Sequence, residues 1–512
     1  MKRRDFIMTV AASAGSAYGA MKALDLLERP ATAQSRPFEP LKPTGARKRV
    51  VILGAGVAGM AAAYELGKVG YDCIILEARS RAGGRCWTLR GGDKVTETSG
   101  ITQTVPFDQG LYFNPGPARI PQEHVTLDYC KELGVPIEVK ENLNRREYYF
   151  KEQAGPLSNR KVRAREAITD MRGYISELLA KAINKDAINA PLTTEDKEKM
   201  IEFLRTYGDL DPDLFYKGSS RRGYRVYPGG GLQPGEESDP YDLSALIQLG
   251  FAGYETFDWD WQQQMTMFQP VGGMDQIAKA FERRVGERIA FQAEVTEIRK
   301  TPNGVRIAYK DQSGNTQQAT GDYCICTIPL TVLKSIPSDF SPQMKEAIAN
   351  VTYARAGKSG LQFKRRFWED DENVFGGISW TDQEIVQIWY PSEGYLSKKG
   401  IIVGYYQFDD TRVGNLPPSQ RLAVALEQGG KIHSQYKTDF ENGVTIYWPK
   451  IPYSIGGWAE YTTEERKRYY PTLNEPDGNI YLAGEHLSYL TGWQAGSLES
   501  ARLVATKINA LA

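Results

Sequence analysis

Residues 50–85, VVILGAGVAGMAAAYELGKVGYDCIILEARSRAGGR, restrict what this chain can fold into more than any other stretch. They read as a strand, a G-x-G-x-x-G turn (Gly54, Gly56, Gly59), an Ala-rich helix, a second strand ending at Glu77, and a further pair, Gly83-Gly84. The first glycine permits a tight turn, the second lets backbone approach a pyrophosphate, and the third lets the helix lie close on the strand. The helix N-terminus offers free N–H groups and a positive dipole end to phosphate, so Gly54, Ala55, Gly56, Val57, Ala58 and Gly59 are the expected phosphate-binding turn. Glu77, 18 residues after Gly59, stands where a carboxylate can accept hydrogen bonds from a ribose. Such a fingerprint alone is weak. The apolar strand before it, the helix after it and the carboxylate at the end together predict a dinucleotide site. Arg81-x-Gly-Gly-Arg85 follows at once and adds two cations and more backbone amides beside the same pyrophosphate, with Ala78, Arg79 and Gly84 in the same loop.

A chain of 512 residues is long enough for two or three domains around sizeable cores. Lys plus Arg and Asp plus Glu are both 63, a balance that argues against nucleic acid or an anionic membrane surface as the main partner. Met1-Lys2-Arg3-Arg4-Asp5-Phe6-Ile7 carries paired arginines, followed by a weakly apolar Ala/Gly/Ser stretch and Ala31-Thr32-Ala33. This resembles a twin-arginine export signal cleaved after Ala33, which implies a periplasmic or secreted protein exported already folded. Residues 34–47 read as a linker, and no later stretch approaches the ~18 apolar residues of a membrane span. Five scattered cysteines (Cys73, Cys86, Cys130, Cys324, Cys326) do not make a disulfide framework, and Cys324 and Cys326, two apart in a strand-like run, point to one face. With no CxxC and only three histidines, no metal site is expected.

The pieces needed to complete a dinucleotide domain return late in the chain. Residues 269–274 introduce a helical run, 289–299 alternate as a strand, 323–328 continue the strands, and 480–485 give a last strand before a helix from about Gly496. Between these segments, residues 155–260 have helical patterning with a Gly/Pro-rich loop at 227–235. Residues 331–465 alternate β-branched and aromatic residues as in a mostly antiparallel sheet.

Several motifs, in order, resemble the flavin amine oxidases, and most closely the bacterial L-amino-acid oxidases. They are GAGVAG with LEARSRAGGR, NPGPARIP at 114–121, MFQPVGGMDQIAKAF, AEVTEI, CTIPLTVL, KSGLQFKRRFWED, and YLAGEHLSYLTGWQAGSLESA, and they span about 48–510. The resemblance implies an α/β fold: a glutathione-reductase-type FAD-binding Rossmann domain, a mixed-sheet substrate domain and a helical domain. The expected boundaries are 48–95, 265–330 and 466–512 for FAD, 96–154 and 331–465 for substrate, and 155–264 for the helices.

The resemblance also implies roles. Gly116-Pro117-Ala118 pass close to the flavin ring, and Arg119 forks onto the substrate α-carboxylate, which suits guanidinium geometry. Tyr390 matches the tyrosine that gives that carboxylate a second hydrogen bond. Lys358 matches the lysine that holds a water at flavin N5, where an apolar ring would lower its pKa. Gly492-Trp493 border the substrate amine and the flavin, and Val295, Gly484, Glu485, Gln494 and Ser497 meet the rest of FAD. Trp458 stands where monoamine oxidases carry a flavin-bonded cysteine. No cysteine follows Cys326, so the FAD is expected to be non-covalent.

The implied reaction moves hydride from the Cα of an L-amino acid to flavin N5, with Arg119 and Tyr390 orienting the substrate. The imino acid hydrolyses to a 2-oxo acid and ammonia, and molecular oxygen leaves as hydrogen peroxide. An oxidase of carboxylate-free amines and an amino-acid 2-monooxygenase, which releases an amide, share these motifs. A homodimer is a family expectation.

Overall fold

The computed structural model describes residues 38–511 except Thr44 and Ala46. The expected export signal, 1–33, and the start of the linker lie outside the described residues. Val50–Leu53 are fully buried, with Val50 and Ile52 facing one core and Val51 and Leu53 another. A strand buried on both faces needs parallel neighbours covered on both sides, and the continuous apolar run supplies it. The strand Arg49–Leu53 accordingly sits at the centre of a five-stranded parallel sheet, ordered Ile289–Phe291, Asp72–Glu77, Arg49–Leu53, Tyr323–Cys326, Ile480–Leu482. Strands distant in sequence thus become neighbours around the fingerprint.

The helices Val57–Lys68, Asp275–Val285 and Gln494–Asn509 cover one face. An antiparallel meander, Glu294–Thr301, Gly304–Lys310 and Thr316–Gly321, covers the other with the helix Pro342–Asn350. Cys324 and Cys326 both belong to that second core, and all five cysteines are free and buried. The helix Thr126–Leu133 also joins the first core through Tyr129, Cys130 and Leu133. Residues 96–154 therefore divide between the two domains instead of lying wholly with the substrate domain, because this short helix carries its own apolar stripe.

The second large unit is a seven-stranded mixed sheet, ordered Phe440–Tyr447, Gly357–Phe363, Gly400–Gln407, Gln387–Trp389, Ile378–Thr381, Tyr148–Phe150, Val162–Arg163. Only the pairing of Ile378–Thr381 with Tyr148–Phe150 is parallel. The 15-residue helix Pro418–Ile432 covers this sheet. The alternation read over 331–465 did not anticipate it, although Leu422, Ala425, Leu426 and Ile432 keep helical spacing. Residues 155–264 hold the helices Ala164–Asn184, Thr194–Gly208 and Leu243–Leu249, plus a two-stranded hairpin, Tyr224–Val226 with Glu236–Glu237, around the Gly/Pro-rich loop. A capping box between Thr193 and Asp196 starts the second of these helices. Among the described residues no helix is long and apolar enough to cross a membrane.

Candidate active site

A cavity of about 480 Å³ runs along the C-terminal edge of the parallel sheet and ends against the mixed sheet. That is where ligands bind in open α/β folds. Of the residues singled out in the sequence, Gly54, Gly56, Val57, Ala58, Glu77, Ala78, Arg79, Gly84, Arg85, Gly116, Pro117, Val295, Lys358, Trp458, Gly484, Glu485, Gly492, Trp493, Gln494 and Ser497 all line it. Ala55 and Gly59 stand behind this lining. Ala118 and Tyr390 border a smaller cavity on the far side of the 114–119 loop, and Arg119 lines neither.

At one end, backbone geometry builds a phosphate cradle. Gly54 has φ +102° and donates its N–H to Leu76 O at 2.8 Å. A Cβ on Gly59 would lie 2.0 Å from Gly54 O, so the helix could not approach its strand with any larger residue there. A Cβ on Gly56 meets no protein atom within 4 Å; it would project into open space at the helix N-terminus. Gly83 donates to Ala55 O at 2.8 Å and ties the second glycine pair to the first. Glu77 is buried and accepts from the N–H groups of Ala55 (2.8 Å) and Arg79 (2.9 Å), which leaves further lone pairs on both oxygens for hydroxyl donors. This glycine cradle, with its carboxylate and empty helix N-terminus, fits the FAD that the motifs imply.

Arg85 and Arg81 part company. Arg85 lines the cavity and donates to Glu485 Oε1 (2.9 Å) and Gly457 O (2.7 Å). Arg81 turns away, donates to Ala82 O and Gly84 O, and stacks over Trp87 at 4.2 Å. It holds the loop's shape and offers no cation to the cavity. Glu485 also accepts from the N–H groups of Ala459 and Gly492, so one buried carboxylate pins three loops together. Cys86 lines the cavity too, but burial pushes its thiol up to about 12 and Gln494 Nε2 donates to it at 2.8 Å. It therefore stays a protonated thiol and no nucleophile.

At the other end, Lys358 is 3% exposed at the start of the wholly buried strand Gly357–Phe363. Its Nζ donates to Gly116 O at 2.6 Å and lies 4.2 Å from the ring centre of Tyr406. Burial, then the charges of Arg119 and Lys140, hold its pKa well below the lysine range. Tyr406 sits directly across from Lys358 in the ladder, and burial pushes its phenol up to about 12. Gly492 sits against the Trp458 indole at φ +81°, a left-handed backbone that favours glycine.

Arg119 is 9% exposed and its guanidinium stacks 4.3 Å from the ring centre of Trp389. Its Nη1 donates to Asn142 Oδ1 at 2.7 Å, and burial pulls its pKa down to about 10. Among the described residues no carboxylate comes within ion-pair distance of it, whereas Arg222 and Arg421, buried as deeply, pair with Asp170 and Glu97. Trp389 links the two basic side chains: the guanidinium of Arg119 lies 4.3 Å and Lys358 Nζ 5.3 Å from its ring centre.

Tyr390 is not brought to this group. Its hydroxyl is fully buried in the mixed-sheet core, 2.8 Å from Ser379 Oγ and 2.7 Å from His433 Nε2. Trp389, one residue earlier, borders the same smaller cavity and packs against Arg119 and the ring of Tyr406. Trp389, Tyr406 and Asn142 escaped the sequence reading, because alternation marks a strand's two faces without saying which one meets the cavity.

Residues 57–509 match the model of the flavin-containing amine oxidoreductases, and the chain belongs to that family. The YobN protein of Bacillus subtilis (strain 168) is 27% identical over 498 residues, covering 91% of this chain and 95% of its own. An L-amino-acid oxidase of Demansia vestigiata is 27% identical over 483 residues, covering 92% and 88%. In structure, wild-type putrescine oxidase bound to putrescine superposes with a TM-score of 0.60 at 16% identity, covering 91% of this chain and 99% of that one. The fold is that of an FAD amine oxidase.

Proposed function

We propose that this protein is an L-amino-acid oxidase that binds FAD non-covalently and converts L-amino acids to 2-oxo acids, ammonia and hydrogen peroxide. The observation that carries the reading is Arg119: a buried guanidinium with no acid partner among the described residues, stacked on Trp389, whose ring Lys358 also approaches. A buried cation without a counter-ion is expensive to maintain, and a substrate carboxylate supplies the missing charge. Putrescine and other carboxylate-free amines would leave it unpaired.

FAD, which the glycine turn, Glu77 and Arg85 would hold, would supply the hydride acceptor and the redox chemistry with oxygen. The chain's own work is positioning and solvent exclusion. Arg119 fixes the carboxylate end of the substrate, Trp493 and Trp458 wall the amine end, and Tyr406 and Trp389 close the sides against water. Lys358, its pKa held down by burial, accepts and returns a proton at Nζ while Gly116 O holds it in place. The Arg3-Arg4 pair and the Ala/Gly/Ser stretch after it support export by the twin-arginine route to the periplasm or the medium, a route that would let FAD bind in the cytoplasm first.

A peroxide assay over the twenty L-amino acids and several simple amines, with parent and R119M holoenzyme, tests the reading. Turnover of amino acids that R119M abolishes supports it. Turnover confined to amines, unchanged in R119M, overturns it, and an amide product in place of the 2-oxo acid assigns a monooxygenase.

A further inference from the structure

The only side-chain acceptor for Arg119 among the described residues is Asn142, which directly follows the strand Ile137–Glu141. Asn142 is 1% exposed, and its backbone N–H donates to Met265 O at 2.8 Å, which fixes where the side chain starts. The contact with Arg119 also fixes which way the amide faces. Turned over, Nδ2 would aim a donor at the guanidinium donors, so Oδ1 must be the atom at 2.7 Å. That leaves Nδ2 beside the guanidinium, buried and without any hydrogen-bond partner. Buried donors are almost always satisfied, so an orphan next to an unpaired cation indicates an acceptor that arrives with a ligand.

The residue type fits the task. An aspartate at this position would hold Arg119 just as well, but it would neutralise the charge and repel an incoming carboxylate. An amide holds the guanidinium through its oxygen and keeps the cation available, while its nitrogen stays free as a second donor. Tyr390, the residue the motifs suggest for the second hydrogen bond, has its hydroxyl engaged by Ser379 and His433.

We propose that Asn142 is the second carboxylate-binding residue: Nδ2 donates to one oxygen of the substrate α-carboxylate and Arg119 donates to the other. The inference rests on the L-amino-acid oxidase reading. The test uses FAD-loaded enzyme, benzoate as a carboxylate probe read by the absorption of the bound flavin, and the best L-amino acid as substrate. N142A is expected to weaken benzoate binding and raise KM by about tenfold or more, with a smaller change in kcat. Y390F is expected to stay within about twofold of parent, since its hydroxyl serves the core. If N142A fails to hold flavin, the isosteric N142D carries the test: it should bind benzoate poorly at pH 8 and recover as the pH falls and the new carboxyl protonates. Parent-like benzoate binding and KM in N142A or in N142D at pH 8, with R119M impaired, overturns the role of Asn142 and leaves the oxidase reading standing. A parent that neither binds benzoate nor turns over any L-amino acid overturns both.

Discussion

Arg119 is a buried guanidinium and Lys358 a buried amine whose charge burial disfavours, neither has a carboxylate partner among the described residues, and each has a consequence that can be measured. Removing the guanidinium of Arg119 deletes charge-assisted hydrogen bonds worth about 3 kcal/mol, so R119M should raise KM for amino acids roughly 100-fold while the flavin spectrum stays intact. Steady-state kinetics against flavin absorbance checks this. For Lys358 the sign is worked from its lowered pKa. The folded protein keeps the amine neutral while the unfolded chain protonates it below its usual value of about 10.4, so stability is lost as pH falls through that value. K358M removes this penalty. It should melt above the parent at pH 7, by a margin that shrinks as pH approaches 10, and it should slow reoxidation of reduced flavin by oxygen. Equal melting temperatures at pH 7 would contradict the buried neutral amine.

The glycine turn separates into parts with different jobs. Gly59 faces protein, since its Cβ would stand 2.0 Å from a carbonyl oxygen, whereas Gly56 faces the cavity with nothing within 4 Å. G59A should therefore destabilise the protein itself by about 1–3 kcal/mol through forced separation of helix and strand. G56V should leave the fold within about 0.5 kcal/mol of parent yet abolish flavin retention, because the added methyls occupy the phosphate's place. Thermal melts and the visible spectrum of purified protein distinguish the two. The mixed sheet works the same way: its register sets Lys358 opposite Tyr406, and that pairing gathers amine and phenol at the buried end of the cavity.

For the whole molecule, the cavity is made from three sequence-distant segments of the parallel sheet and one edge of the mixed sheet. A ligand that touches all of them joins the domains, so flavin should stabilise the protein by mass action and its removal should lower the melting temperature, more so at low FAD concentration. Attachment should be reversible, because the cavity's cysteine, Cys86, is a high-pKa thiol held by Gln494. Acid or heat denaturation is expected to release all the yellow colour into the supernatant as FAD, and colour left on the precipitated chain would disprove non-covalent binding.

What could be read without coordinates follows from periodicity and local chemistry. The fingerprint, the return strands and Lys358 on an inward-facing strand depend on spacing along the chain, and spacing is fully present in the sequence. The dinucleotide domain followed from them, and the flavin from the resemblance that the ordered motifs carry. The division of residues 96–154 between two cores, the turning away of Arg81 and the helix Pro418–Ile432 over a sheet read as strands depend on which apolar stripe meets which surface. So do Tyr390's commitment to Ser379 and His433 and the placing of Trp389, Tyr406 and Asn142 around Arg119. A strand's alternation is symmetric between its two faces. Only the packing of the mixed sheet against the FAD domain breaks that symmetry and selects which side chains meet a substrate.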